Sequence, residues 1–211
     1  MTLKDQTINE FLTTLSSSSP TPGGGSVSAL VGAISSALVS MVASLTVGKE
    51  KYKDSWHEME IALQKAKTLQ DKFLSLAERD IEAFNNFMTA LRLPKESEEQ
   101  KALRAVAMEE ASKNASLVPL EITEACIEVA ELSLLTAKFG NKMAGTDAAI
   151  GALLADATAR SARYNVLVNL PMISDTNFVA TAKSRLEIAL KKTSEISNQT
   201  VSIIDEQFME A

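Results

Sequence analysis

The sequence has one cysteine, Cys126, and one histidine, His57. A single thiol excludes an internal disulfide and suits a reducing, cytoplasmic compartment. So few thiols and imidazoles leave no Cys/His cluster for zinc and no metal site to propose. They also leave no Ser–His–Asp or Cys–His series to propose as a nucleophilic centre. Aromatic residues are only 5% of the chain. No run alternates apolar and polar residues between hairpin turns, so strands are not expected. No internal repeat of fixed period stands out.

A basic excess is also missing. Lys and Arg number 21 against 27 Asp and Glu, a net charge of −6. Nucleic acid is therefore not the expected partner, because phosphate binding needs a basic footprint. The first ten residues are polar and charge-balanced, unlike a secretory signal. Charge of either sign is absent from Phe11 to Gly48. The apolar part, Val27 to Val47, is long enough to span a bilayer. It is interrupted by Ser28, Ser35, Ser36, Ser40, Ser44 and Thr46, with no basic cluster on its N-terminal side. A helix buried among other helices, not a membrane span, is the expectation.

What is present is helix-forming. Ala, Leu, Ser, Glu and Lys dominate a chain that is 45% hydrophobic. The spacing predicts a short helix over 5–15, then a Pro- and Gly-rich loop from Ser16 to Gly25, with Ser26 capping a helix to about Thr46. A long helix follows over 55–91, ended by Pro94. Another runs from Ser97 to Ser116, and Pro119 opens one that reaches Phe139. Thr146-Asp147 reads as a helix start continuing to Leu170, and Ser174 as the cap of a last helix ending near Phe208. The linkers are short, so residues 1–211 are read as one all-α domain, a helical bundle of six to eight helices. A 35-residue helix spans about 50 Å, wider than a small domain. Such length, together with the small residues of 26–47, makes a homodimer the expectation.

Few residues offer chemistry. Gly23-Gly24-Gly25-Ser26 opens a helix whose free N–H groups attract anions or carbonyl oxygens. The same loop is also explained by two backbones crossing. It is neither a Walker A loop nor a dinucleotide fingerprint. Asp80 falls on the apolar side of its helix, between Leu76/Ala77 and Phe84. A carboxylate there is costly unless partnered, and burial raises its pKa toward the range a general acid or base needs. A buried ion pair with a distant Arg would equally explain it. Lys49 and Lys51 follow Gly48 as a solvated loop or as anchors for a carboxylate tail. Asn141, Thr146 and Asp147 flank a helix junction, where capping alone accounts for them. Asn165 and Asn169 are four apart and share a helix face, as do Asp156 and Arg160, an expected salt pair. Cys126, among Ile122, Ile127 and Val129, reads as buried packing.

Four blocks in order resemble the formiminotetrahydrofolate cyclodeaminase and methenyltetrahydrofolate cyclohydrolase family. They are Pro20-Thr21-Pro22-Gly23-Gly24-Gly25-Ser26-Val27-Ser28-Ala29; Asp80-Ile81-Glu82-Ala83-Phe84 with Leu91-Arg92-Leu93-Pro94; Val118-Pro119-Leu120; and Gly140-Asn141 with Thr146-Asp147, continuing to Asn165-Val166-Leu167-Val168-Asn169-Leu170. Thr146 stands where the family often has Ser, and the loop after Gly48 departs from its pattern. The resemblance implies an all-helical dimer, folate sites near the subunit interface, and no metal or redox cofactor. It implies a folate substrate, with cyclodeaminase activity placed first, cyclohydrolase as the alternative, and a non-catalytic folate-binding protein as the third reading. It places the proton-transfer role on Asp80 and a supporting one on Asp147. Gly23, Gly24, Gly25, Ser26, Asn141, Asn165 and Asn169 would contact substrate, and Lys49 and Lys51 its glutamate tail.

Overall fold

The structure, a computed structural model, describes residues 3–209. The expected 1–211 domain extends two residues beyond these at each end. Six α-helices carry the chain: α1 (Ile8–Leu15), α2 (Gly24–Ser44), α3 (Trp56–Leu91), α4 (Glu98–Phe139), α5 (Gly145–Asn169) and α6 (Thr176–Met209). Short 3-10 turns join several of them, and no strand occurs among the described residues.

Side-chain caps set three of the six helix starts. Thr7 and Ser97 each head a capping box, Thr7 with Glu10 and Ser97 with Gln100. The last helix starts one residue later than Ser174 suggests. Asp175 Oδ1 accepts the Phe178 N–H at 3.0 Å, while Ser174 donates its own N–H to Glu109 at 2.8 Å. Ser26 is not a cap either. Gly23 holds that position, and Ser26 lies inside the first turn of α2.

The largest departure is at Pro119. The sequence predicts a break there, yet α4 runs through it as one helix of 42 residues, about 63 Å long. The carbonyl that Pro119 leaves without its helical donor is met from α5, by Asn169 Nδ2 at 3.0 Å.

α2 is one core of the bundle, packed against α3, α5 and α4, while α4 also carries α6. It is long and apolar enough to cross a membrane, but 56% of its most apolar window is buried inside the bundle. Small residues make this possible. Ala29, Ala33, Ser35, Ser36, Val39 and Ala43 are buried on α2, and Ala148, Gly151, Ala152, Ala155 and Ala159 are buried on α5. Ser35 Oγ donates to the Gly151 carbonyl at 2.6 Å, tying the two helices directly. At Gly32 a Cβ would come within 2.6 Å of the Phe73 ring, so only glycine lets that ring lie across α2. Bidentate pairs join the outer helices: Arg79 with Glu121 across α3 and α4, and Arg185 with Glu124 across α4 and α6. Asp156 and Arg160 form the expected pair along α5 at 2.7 Å.

Candidate functional site

Where the glycine loop enters α2, four helices leave a cavity of about 360 Å³. Its walls come from Pro20, Thr21 and the three glycines, from Asp80, Phe84 and Phe87 on α3, from Ala115 on α4, and from Asn165, Val168 and Asn169 on α5. The peptide bond between Thr21 and Pro22 is cis.

Asp80 stands at the mouth of α2. Ser26 Oγ donates to its Oδ2 at 2.9 Å. Gly25 passes so close that a Cβ there would overlap the carboxylate. Gly24 and Gly23 are less constrained: a Cβ on Gly24 meets Asn165 at 3.7 Å, and one on Gly23 meets the Pro20 carbonyl at 3.7 Å, both ordinary contacts. Of the three, only Gly25 is required by the approach of another group.

Burial raises the Asp80 carboxyl above its usual value, and the Ser26 hydroxyl and backbone N–H pull it partly back. The buried ion pair that would otherwise explain Asp80 is not what holds it. Its neighbour Arg79 points to Glu121 at 2.6 Å. Asp80 is therefore a half-buried carboxyl held by a hydroxyl and a helix N-terminus, the environment of an acid or base poised for proton transfer.

Phe84 and Phe87 follow Asp80 at four and seven residues. Sequence reading sees them as core periodicity, whereas they form an aromatic wall beside the carboxyl. The shared helical face was the available signal. A larger hollow of about 650 Å³ lies between α3, α4 and Phe178. It is shallow, and its one cation, Lys113, is already engaged by Asp175 at 2.9 Å and Glu109 at 3.6 Å.

The structure brings together Gly23, Gly24, Gly25, Ser26, Asp80, Asn165 and Asn169. It does not bring Lys49, Lys51, Asn141 and Asp147 to them. Asp147 lies in the first turn of α5 and Asn169 ends it, about 33 Å apart along the helix. Asn141 is buried and committed: its N–H donates to Thr46 Oγ1 at 2.8 Å, its Nδ2 to the Leu45 carbonyl at 3.2 Å, and its Oδ1 accepts from Met143 N–H and Tyr52 OH. It joins the end of α2 to the α4–α5 turn. Lys51 lies over the Tyr52 ring at that same end, and Lys49 offers its carbonyl to Trp56 Nε1 at 3.0 Å. Among the described residues no group of three His, Cys, Asp or Glu is placed to hold a metal.

Residues 7–188 match the family model described as formiminotransferase-cyclodeaminase. The chain is 41% identical over 183 residues to the methenyltetrahydrofolate cyclohydrolase of Methylorubrum extorquens, covering 87% of this chain and 88% of that protein. It is 29% identical to the formimidoyltransferase-cyclodeaminase of Sus scrofa, covering 94% of this chain but only 36% of the longer one. The crystal structure of formiminotetrahydrofolate cyclodeaminase from Thermotoga maritima superposes with a TM-score of 0.88 at 30% identity, covering 97% of this chain and 98% of that one.

Proposed function

The chain belongs to the formiminotransferase-cyclodeaminase family, and from that premise we propose that it hydrolyses 5,10-methenyltetrahydrofolate to 10-formyltetrahydrofolate at the Asp80 cavity. The half-buried Asp80, raised by burial and held at the N-terminus of α2, carries the chemical part of this reading. The likeness to a cyclohydrolase over nearly the full length of both chains favours water over an amine as the exchanged group.

In the proposed reaction water attacks the bridging carbon of the cationic N5–CH–N10 unit. Asp80 takes one proton from that water. The neutral tetrahedral adduct then breaks its C–N5 bond, Asp80 returns the proton to N5, and the hydroxyl proton leaves to solvent as the formyl C=O forms on N10. One carboxyl serves first as base and then as acid, which a raised pKa suits. The anionic carboxylate also opposes the substrate cation before attack. The first-turn N–H groups of Gly24 and Gly25 have no intrahelical acceptor and suit the developing formyl oxygen. Phe84 and Phe87 offer a flat apolar wall for a ring.

The Thermotoga likeness favours a second reading on the same residues. In the cyclodeaminase direction N10 attacks the formimino carbon of 5-formiminotetrahydrofolate and gives its proton to Asp80. The departing nitrogen takes that proton and one from solvent, leaves as ammonia, and the methenyl cation remains.

We also propose a homodimer through α2 and α5. Ile34 and Met41 on α2, Leu45 just past its end, and Ile150, Leu153, Tyr164 and Val168 on α5 are exposed. These helices run antiparallel side by side, with Gly24 beside Asn165 and Ser35 bonded to Gly151. Val168 belongs both to this face and to the cavity wall. A two-fold contact centred on α2 sets the Gly48 end of one copy against the Gly23 end of the other. Lys49, Lys51 and Asp147, remote from Asp80 within one chain, would then approach the other chain's cavity, where the lysines suit a glutamate tail. Two features fit this arrangement: the uncharged stretch from Phe11 to Gly48, and the length of α2, about 30 Å.

The deciding experiment follows the methenyl absorbance band with purified protein. Accelerated loss of the band from 5,10-methenyltetrahydrofolate is expected. Growth of the band with ammonia release from 5-formiminotetrahydrofolate would instead select the cyclodeaminase direction. Inertness toward both, with tetrahydrofolate still bound, would leave a non-catalytic folate binder.

A further inference from the structure

Pro119 sits in the middle of α4 without breaking it. A proline inside a helix removes the N–H that would bond to the carbonyl four residues back. Here that carbonyl belongs to Ala115, which lines the cavity. A carbonyl left without a partner in packed structure is costly. Asn169 supplies the partner: its Nδ2 donates to the Ala115 carbonyl at 3.0 Å. The same Nδ2 donates to the Asn165 carbonyl at 2.8 Å. An amide nitrogen has two hydrogens, and both are thereby used. Two carbonyl oxygens admit only the nitrogen on their side, so the amide cannot be turned over.

We infer that Pro119 is a positioning residue for substrate: by freeing the Ala115 carbonyl it locks Asn169 so that only its Oδ1, an acceptor, is left for a ligand. Asn169 then selects an N–H donor on the ligand ring and rejects an acceptor at that place. A tetrahydropterin has such donors in its 2-amino group, N3–H and N8–H. This rests on the folate reading proposed above and deepens it. An ordinary residue at 119 would return an N–H to the Ala115 carbonyl and draw it back into the helix ladder, so the Asn169 amide would be held less tightly.

The inference separates stability from binding, which a purely structural role does not. In Pro119→Ala the helix regains a hydrogen bond and a strong helix former, so Tm is expected to rise. KM for 5,10-methenyltetrahydrofolate is expected to rise about tenfold, with kcat falling far less, as for the loss of one ground-state hydrogen bond. Asn169→Ala is expected to raise KM at least as much, and Pro119→Ala added to it to raise KM no further. The Asn169 side-chain amide protons, read by NMR in the ligand-free wild type, are expected to exchange slowly with solvent. In Pro119→Ala they are expected to exchange fast.

A normal KM in Pro119→Ala, or KM effects of the two substitutions that simply multiply, would overturn the role assigned to Pro119. Should Pro119→Ala fail to fold, Pro119→Leu replaces it under the same expectations, and fast exchange of those amide protons in the wild type overturns the inference equally. A wild-type protein that neither turns over nor binds any tetrahydrofolate defeats the folate reading itself, which is a separate result.

Discussion

Ser26 Oγ lies 2.9 Å from Asp80 Oδ2, and this bond joins the first turn of one helix to the middle of another, 54 residues later. The hydroxyl opposes burial, which pushes the carboxyl up, and so sets how far Asp80 departs from an ordinary carboxylate. Removing the hydroxyl leaves burial less opposed. In Ser26→Ala the acid limb of the kcat/KM profile is expected to move to higher pH, with activity recovering as the pH is raised. A pH profile superimposable on the wild type would mean that Ser26 does not tune Asp80.

Asp80→Asn is expected to lower kcat by about 10²–10⁴-fold, the usual range for losing a positioned acid or base. It is also expected to stabilise the fold at neutral and higher pH. The raised carboxyl holds its proton more tightly when folded, so the stability linked to that proton is complete below the ordinary value of 3.8 and is lost as pH climbs through the folded value. Asparagine has no such loss. The Tm gap between variant and wild type should therefore be small near pH 4 and widen by about pH 8, at roughly 2–4 °C per kcal/mol for a chain of this size. Calorimetry across that range checks the sign.

The three glycines are expected to differ. Gly25→Ala drives a methyl into the Asp80 carboxylate and should cost activity by about a hundredfold or more through misplacement of the reacting group. Gly24→Ala meets only the Asn165 amide at an ordinary 3.7 Å and should keep the fold, with its effect confined to KM. Equal losses in kcat for the two would show that the carboxylate position is not what Gly25 protects.

The proposed dimer is tested by charge. Ile34→Lys with Leu153→Lys places two cations on the exposed apolar face without touching the Asp80 cavity. A monomer by sedimentation, helical by circular dichroism and without preference for polyglutamylated over monoglutamyl folate, is expected. A wild type that sediments as a monomer at micromolar concentration would remove the interface and, with it, the approach of Lys49 and Lys51.

Most of the bundle was legible because helix ends are local chemistry. Ser97 with Gln100 is written within four residues, as is the stop at Pro94. Asp80 was legible too, since a carboxylate in an apolar stripe is conspicuous without a partner in view. The rest required distant residues. Pro119 reads as a helix boundary because its compensation comes from Asn169, fifty residues along. Ser26 reads as a cap because its acceptor lies on another helix. Asn141 shares a motif with Asn165 and Asn169, and Lys49 and Lys51 follow the helix that the glycine loop opens, yet α2 and α5 carry all three to the opposite end. Sequence order records the motifs and not the length of helix between them.

Cys126 is the chain's only thiol, fully enclosed, its Sγ donating to the Ile122 carbonyl at 3.2 Å and its ionisation suppressed by burial. A thiolate-seeking dye has nothing to attack in the closed bundle. The native chain is thus a blank background for site-directed labelling: a cysteine engineered at exposed Leu103 would take a fluorophore alone. The same silence makes Cys126 a built-in clock, since its slow reaction with reagent would count how often the whole bundle opens.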